Sequence, residues 1–270
     1  MPPRQFPAIP SLEIYSDEGQ PRGENILLPP ESTRYQLVES FIHLALCLLE
    51  SRRGRECLSE TAIKIVREKD AKSRPMPHLY NRPIGEMPQW IDRFLRAARN
   101  NFPMTYLSKM EGEAMARRQS GINDMAQFDP KICGYIDINR TIVNNMIICR
   151  QNPNSGDNYS LFKFQMAISV AHEIVHFLTG FLTGRITDRP HTPDTVTLQP
   201  YGTRARGEAG RYWESIALGG VTEFYLNERD PLRESQAGTP YLLDNGFNSS
   251  PAREISLAYI REFVQHSKWL

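Results

Sequence analysis

Two histidines four residues apart, with a glutamate directly after the first, stand in Ala171-His172-Glu173-Ile174-Val175-His176. Residues i and i+4 share a helical face about one turn apart, so His172 and His176 can offer imidazole nitrogens to one point in space. A zinc ion suits that geometry, each nitrogen holding it at about 2.0–2.1 Å. Glu173 can reach a water on the open coordination position rather than the ion itself. Zinc lowers the pKa of that water, the carboxylate takes its proton, and the resulting hydroxide can attack a carbonyl carbon. The chain has only six histidines, and at its composition such a string arises by chance in on the order of one chain in a hundred. The run before it, Phe164 to Ala171, is strongly apolar. Two histidines and a carboxylate in a buried helix need a compensating interaction. The competing reading is a pair of hydrogen-bonded core histidines beside a salt-bridged glutamate.

At these residues the chain resembles the zincin metallopeptidases, for which HExxH is the active-site helix motif. The likeness takes in the strand-like Tyr135-Ile136-Asp137-Ile138-Asn139 before the motif and a glutamate-bearing segment after it, about 100 residues in all. It implies a zincin-like catalytic half with a small sheet, an active-site helix and an edge strand beside the metal. An extended substrate would pair with that strand, and Ile132 to Ile138 is the candidate.

Two histidines leave a catalytic zinc one protein ligand short. The metzincin extension would place glycine and histidine where Thr179 and Leu182 stand, so that subclass is excluded. Four residues remain: Asp188, His191, Glu208 and Glu214. Glu214, in Arg211-Tyr212-Trp213-Glu214-Ser215-Ile216, resembles the glutamate of the gluzincin ligand helix, and the resemblance implies that Glu214 is the third ligand. The fit is loose, because Leu218 stands where those helices carry aspartate. Glu208, in Arg206-Gly207-Glu208-Ala209-Gly210, is the rival, since its flanking glycines let backbone approach closely; it can instead serve a helix N-terminus. His191 would be the ligand if the chain were like the SprT-like, three-histidine proteases. Tyr201, Tyr212, Tyr225, Arg204, Arg206 and Arg211 are within sequence range to stabilise an oxyanion, and nothing in the sequence selects among them.

These residues need a scaffold. Helical spacing of apolar residues predicts helices over 35–50, 58–68, 87–100 and 161–182, with further helix at about 208–228 and 252–268. Alternation predicts a strand over 132–138; 141–149 fits strand or helix. Proline marks 71–86 and 101–106 as loops, and 183–206 is a polar Pro/Thr-rich stretch. His43 falls on the apolar stripe of the first helix and reads as a satisfied core histidine. The expected fold class is α+β, mainly α. It would comprise a Pro-rich extended arm (1–30), a helical subdomain (31–130) and a metal-binding catalytic region (131–270), with the cleft between the last two.

Lys+Arg 32 against Asp+Glu 31 gives a net charge of +1, which argues against a nucleic-acid partner. No uninterrupted apolar run reaches the ~18 residues of a bilayer span. The N-terminus has no signal-peptide core, and the four cysteines have no CxxC spacing. Both features fit free thiols in a cytoplasmic protein. The expected activity is zinc-dependent hydrolysis of a peptide or small amide-containing substrate. Two alternatives are a non-haem iron oxygenase or tailoring enzyme, because two histidines and a carboxylate also suit iron, and a non-catalytic metal-binding relative.

Overall fold

The computed structural model describes residues 8–18, 24–68, 77–184, 196, 207–229, 235–243 and 252–266. Asp188 and His191, with most of the 183–206 stretch, lie outside the described residues.

The protein is α+β and mainly helical, with 55% helix and 16% strand. Its axis is α6, Asn158–Thr183, a helix of 26 residues buried on nearly every face. It ends at Gly184, whose φ of 66° is a left-handed conformation that glycine adopts without a Cβ penalty. By length and mean hydropathy (1.3) α6 could cross a membrane, yet 72% of that apolar window is buried inside the protein. α1 (Thr33–Glu50) packs along it, after Ser32 caps the helix by accepting from the Tyr35 N–H. α2 (Arg52–Arg67), α5 (Arg140–Gln151), α7 (Ala209–Ala217) and α8 (Leu257–His266) complete its surroundings. α3 (Met87–Asn100) closes one end through an aromatic cluster, in which Phe181 lies 5.4 Å from Phe94 and 6.3 Å from Trp90.

Two sheets flank these helices. In the larger, β1 (Ile14–Ser16), β3 (Met104–Ser108) and β5 (Gly134–Asn139) run parallel, with β2 (Ile26–Leu27) and β4 (Ala114–Arg118) antiparallel at the edges in the order β2-β1-β3-β5-β4. α4 (Pro130–Cys133) is a single turn leading into β5. The smaller sheet is the antiparallel meander β6 (Val221–Tyr225), β7 (Thr239–Leu243) and β8 (Arg253–Glu254). One hydrophobic core runs from Ile9 in the N-terminal arm to Val264 in α8. The larger sheet joins strands from the arm, from the 31–130 segment and from the region after 131.

Four expectations change, among them the helix expected over about 252–268, which starts only at Leu257 after the strand β8. The strand after residue 130 forms, but it lies inside the sheet, and the edge beside α6 is β4. Residues 104–108 form β3 rather than loop, because burial on alternate residues outweighs the preceding Pro103. The helix expected through 228 stops at Ala217. Gly219 turns with φ 79°, and Val221-Thr222-Glu223-Phe224-Tyr225, β-branched and aromatic, pairs with β7. The segment 141–149 is helical.

His43 is 6% exposed, and both of its ring nitrogens are engaged. Arg99 donates to Nδ1 at 3.2 Å while pairing with Glu50 at 2.6 Å. A guanidinium only donates, so the ring proton sits on Nε2 and faces the Cys47 sulfur at 3.2 Å. Burial first, then Arg99 and Lys163, lower the His43 pKa to about 4. Below the unfolded value of 6.5, unfolded chains take up a proton that the folded ring refuses until about pH 4. The contribution to stability is therefore complete above pH 6.5 and is lost as pH falls through that window, reaching on the order of 3 kcal/mol. Urea unfolding of the native protein and His43→Gln at pH 7 and pH 4.5 should show a steeper acid loss in the native protein. Equal losses would remove His43 from the acid response.

Candidate metal centre

α6 places His172 and His176 on one face, one turn apart. Their Nε2 atoms stand 3.3 Å from each other. The side chain of His172 is 12% exposed and that of His176 24%. Glu208 brings its Oε1 to 2.6 Å from His176 Nε2 and 3.5 Å from His172 Nε2. The three side chains form a group whose donor atoms all lie within 4.8 Å of one another. Oε1 of Glu208 is buried and forms ion pairs with both imidazoles. Donors about 2.0–2.1 Å from a shared tetrahedral ion are separated by about 3.3 Å. The imidazole pair and the His172–Glu208 pair match that spacing, the His176–Glu208 contact at 2.6 Å is closer, and the three donor atoms together could hold a divalent cation.

Glu208 reaches this point because of the backbone around it. It precedes the first turn of α7 without capping it, and its N–H donates to the carbonyl of buried Val196 at 2.9 Å. Gly210, two residues on, lies against the His172 ring; a Cβ there would stand 2.4 Å from ring atoms. The glycine-flanked Glu208 of the sequence is thus the carboxylate brought to the two Nε2 atoms.

Glu214 is engaged on the other side of the ring. Its Oε1 is 2.6 Å from His172 Nδ1, and its Oε2 accepts from the Thr222 N–H at 2.9 Å, with Arg211 Nη1 at 3.7 Å. At 2% exposure it is the buried carboxylate the sequence suggested, but it stands outside the His172–His176–Glu208 group. Glu214 follows Glu208 by six positions along the chain, and α7 brings the two carboxylates to different ring nitrogens of one imidazole. An acceptor at Nδ1 holds the ring so that Nε2 faces Glu208, the orientation that carboxylates impose on metal-binding histidines.

Burial by itself would lower the His172 pKa, but the carboxylates of Glu208 and Glu214 outweigh it and hold the ring at about 10. Glu208 is the converse: burial opposes its charge, and the two imidazoles hold its carboxyl well below the usual carboxylate range. The cluster attracts positive charge, whether a proton or a metal.

One residue after His172 the helix has turned about 100°, and Glu173 faces β4. Its Oε2 accepts from the Ala116 N–H at 2.6 Å. The carbonyl of Glu113 and the N–H of Gln119 bond toward β5. With a period of two, the polar backbone groups of Ala114, Ala116 and Arg118 face outward from the sheet. This backbone partner of Glu173 left no mark in the sequence. Among the described oxyanion candidates, Arg211 alone lines the cavity beside His172. Tyr212 packs under Lys64 and reaches Glu60, and Tyr225 is exposed. Tyr201, Arg204 and Arg206 lie outside the described residues.

The chain matches no protein-family model, no curated protein and no solved structure.

Gly210→Ala should push the His172 ring off Glu214 and lower stability by about 1–3 kcal/mol, measured by chemical denaturation. Gly85→Ala, where nothing stands within 4 Å of the added carbon, is the neutral control. Equal stability of the two variants would show that the ring does not depend on this close approach.

Proposed function

We propose that the protein is a zinc-dependent hydrolase that cleaves a peptide or amide bond, with His172, His176 and Glu208 holding the ion. The observation that carries this reading is the meeting of two imidazoles and a carboxylate whose donor atoms all lie within 4.8 Å of one another. A bound zinc ion supplies Lewis acidity, lowering the pKa of a water and polarising a carbonyl.

The chain's own residues do the rest. Glu208 contributes the negative charge that two neutral imidazoles lack. Glu214, held by the Thr222 N–H and Arg211, keeps His172 Nε2 aimed at the site. Glu173 takes the proton of the attacking water on a carboxylate oxygen and returns it to the leaving amine. Its contact with the Ala116 N–H keeps that carboxylate at the border between α6 and β4. The outward backbone groups of β4 that Glu173 does not occupy can pair with an extended substrate and lay its scissile carbonyl across the cleft. An active-site helix bordered by an antiparallel edge strand supports the zincin resemblance. The substrate this reading favours is a small peptide or another amide-containing molecule.

Elemental analysis of protein purified without added metal, paired with peptide turnover, tests the assignment. The native chain should carry about one zinc. His176→Ala and Glu208→Gln should lose it. Glu214→Gln should keep the stoichiometry while weakening affinity about 10- to 100-fold. Glu173→Gln should keep the metal and lose about 100- to 10,000-fold in turnover. Iron in place of zinc would overturn the hydrolase reading. Loss of metal from Glu214→Gln but not from Glu208→Gln would exchange the two carboxylates' roles.

A further inference from the structure

Beside His172, on the side away from His176, a cavity of about 160 Å³ opens between α6, β4, α7 and β6. Its lining is dominated by acceptors. Glu113, Glu173, Glu214 and Glu223 contribute four carboxylates against the guanidinium of Arg211 and the imidazole of His172. Arg211 is committed to two of them, 3.2 Å from Glu223 Oε1 and 3.7 Å from Glu214 Oε2.

Two buried polar atoms in the same lining have no partner. Gln165 donates its amide to Glu113 Oε1 at 3.2 Å. A carboxylate only accepts, so this contact fixes the amide orientation and leaves Gln165 Oε1 buried without a donor. Thr222 Oγ1 is also buried and unpartnered. Each residue is 7% exposed. A buried acceptor left unmatched is destabilising, so a ligand that brings N–H donors relieves it. Phe224 and Ile168 supply apolar wall for a hydrocarbon stem.

We infer that this cavity binds a cationic, N–H-rich group, the ammonium or guanidinium of a lysine or arginine side chain next to the bond to be cleaved. The inference deepens the hydrolase reading and rests on it for the word substrate. The recognition itself rests on the pocket: an ammonium offers three donors and a guanidinium five, each with the charge that four carboxylates and two orphaned oxygens call for. A neutral or acidic side chain would leave those oxygens unmatched or add a fifth negative charge.

Two experiments on the metal-loaded full chain separate the outcomes. In the first, n-butylamine, n-butylguanidine and n-butanol are titrated and followed by NMR shifts of residues lining the cavity. The two cations should bind at least tenfold more tightly than the alcohol, and their ratio tells ammonium from guanidinium. Glu113→Gln should weaken both at least fivefold with no effect on the alcohol. Should that variant fail to fold, Gln165→Met, which removes the orphaned acceptor, should weaken them in the same direction. Alcohol binding as tight as the cations, or cation binding unchanged in a folded variant, overturns the inference. In the second, peptides differing only in Lys, Arg, norleucine or Glu at one position are compared for cleavage. Preference for Lys or Arg that Glu113→Gln abolishes supports it. Cleavage with no such preference overturns the cation pocket and leaves the hydrolase standing. Cation binding without cleavage of any peptide keeps the pocket and overturns the hydrolase.

Discussion

Two imidazoles and two carboxylates meet beside α6, whose buried surface is mainly apolar. Buried singly, each would carry a large desolvation cost. They are tolerated because they are arranged as a chain: Thr222 N–H to Glu214, Glu214 to His172, and His172 with His176 to Glu208. The chain ends at the Glu208 oxygen, which stands against both Nε2 atoms.

The scaffold around this chain follows from the same constraint. Among the described residues α6 has helices on one side and β4 on the other, and a cavity beside His172 opens between them. Small residues allow the close contacts. Gly210 admits the His172 ring, and Ala114 and Ala116 let β4 lie near enough to α6 for Glu173 to reach a backbone N–H. The acidic cavity is a by-product of these neighbours. β6 must follow closely on α7 to present the Thr222 N–H to Glu214, and that brings Glu223 and Phe224 to the same wall.

The carboxylates divide the work by position. Glu208 and Glu214 both face His172, but at different nitrogens, so one can serve as a ligand while the other orients the ring. Glu173 stays clear of both because consecutive helical residues diverge by about 100°. Exchanging any two would change the chemistry although the composition of the site stayed the same.

HEIVH, the apolar run before it and the long helix that carries them were legible in the sequence, because helical periodicity is local and fixes which residues share a face. The α+β class and the glycines around Glu208 were legible for similar reasons. Which glutamate meets the Nε2 atoms was not. Glu208 and Glu214 lie six residues apart in one segment, and their difference is a rotation about α7 relative to α6, which packing decides. The edge strand was hidden for a related reason. β4 reads Ala-Met-Ala-Arg-Arg, with little strand propensity, and owes its place to pairing with β5 and to contact with α6. Local pattern determined the helix and its two imidazoles; only long-range packing decided what stands opposite them.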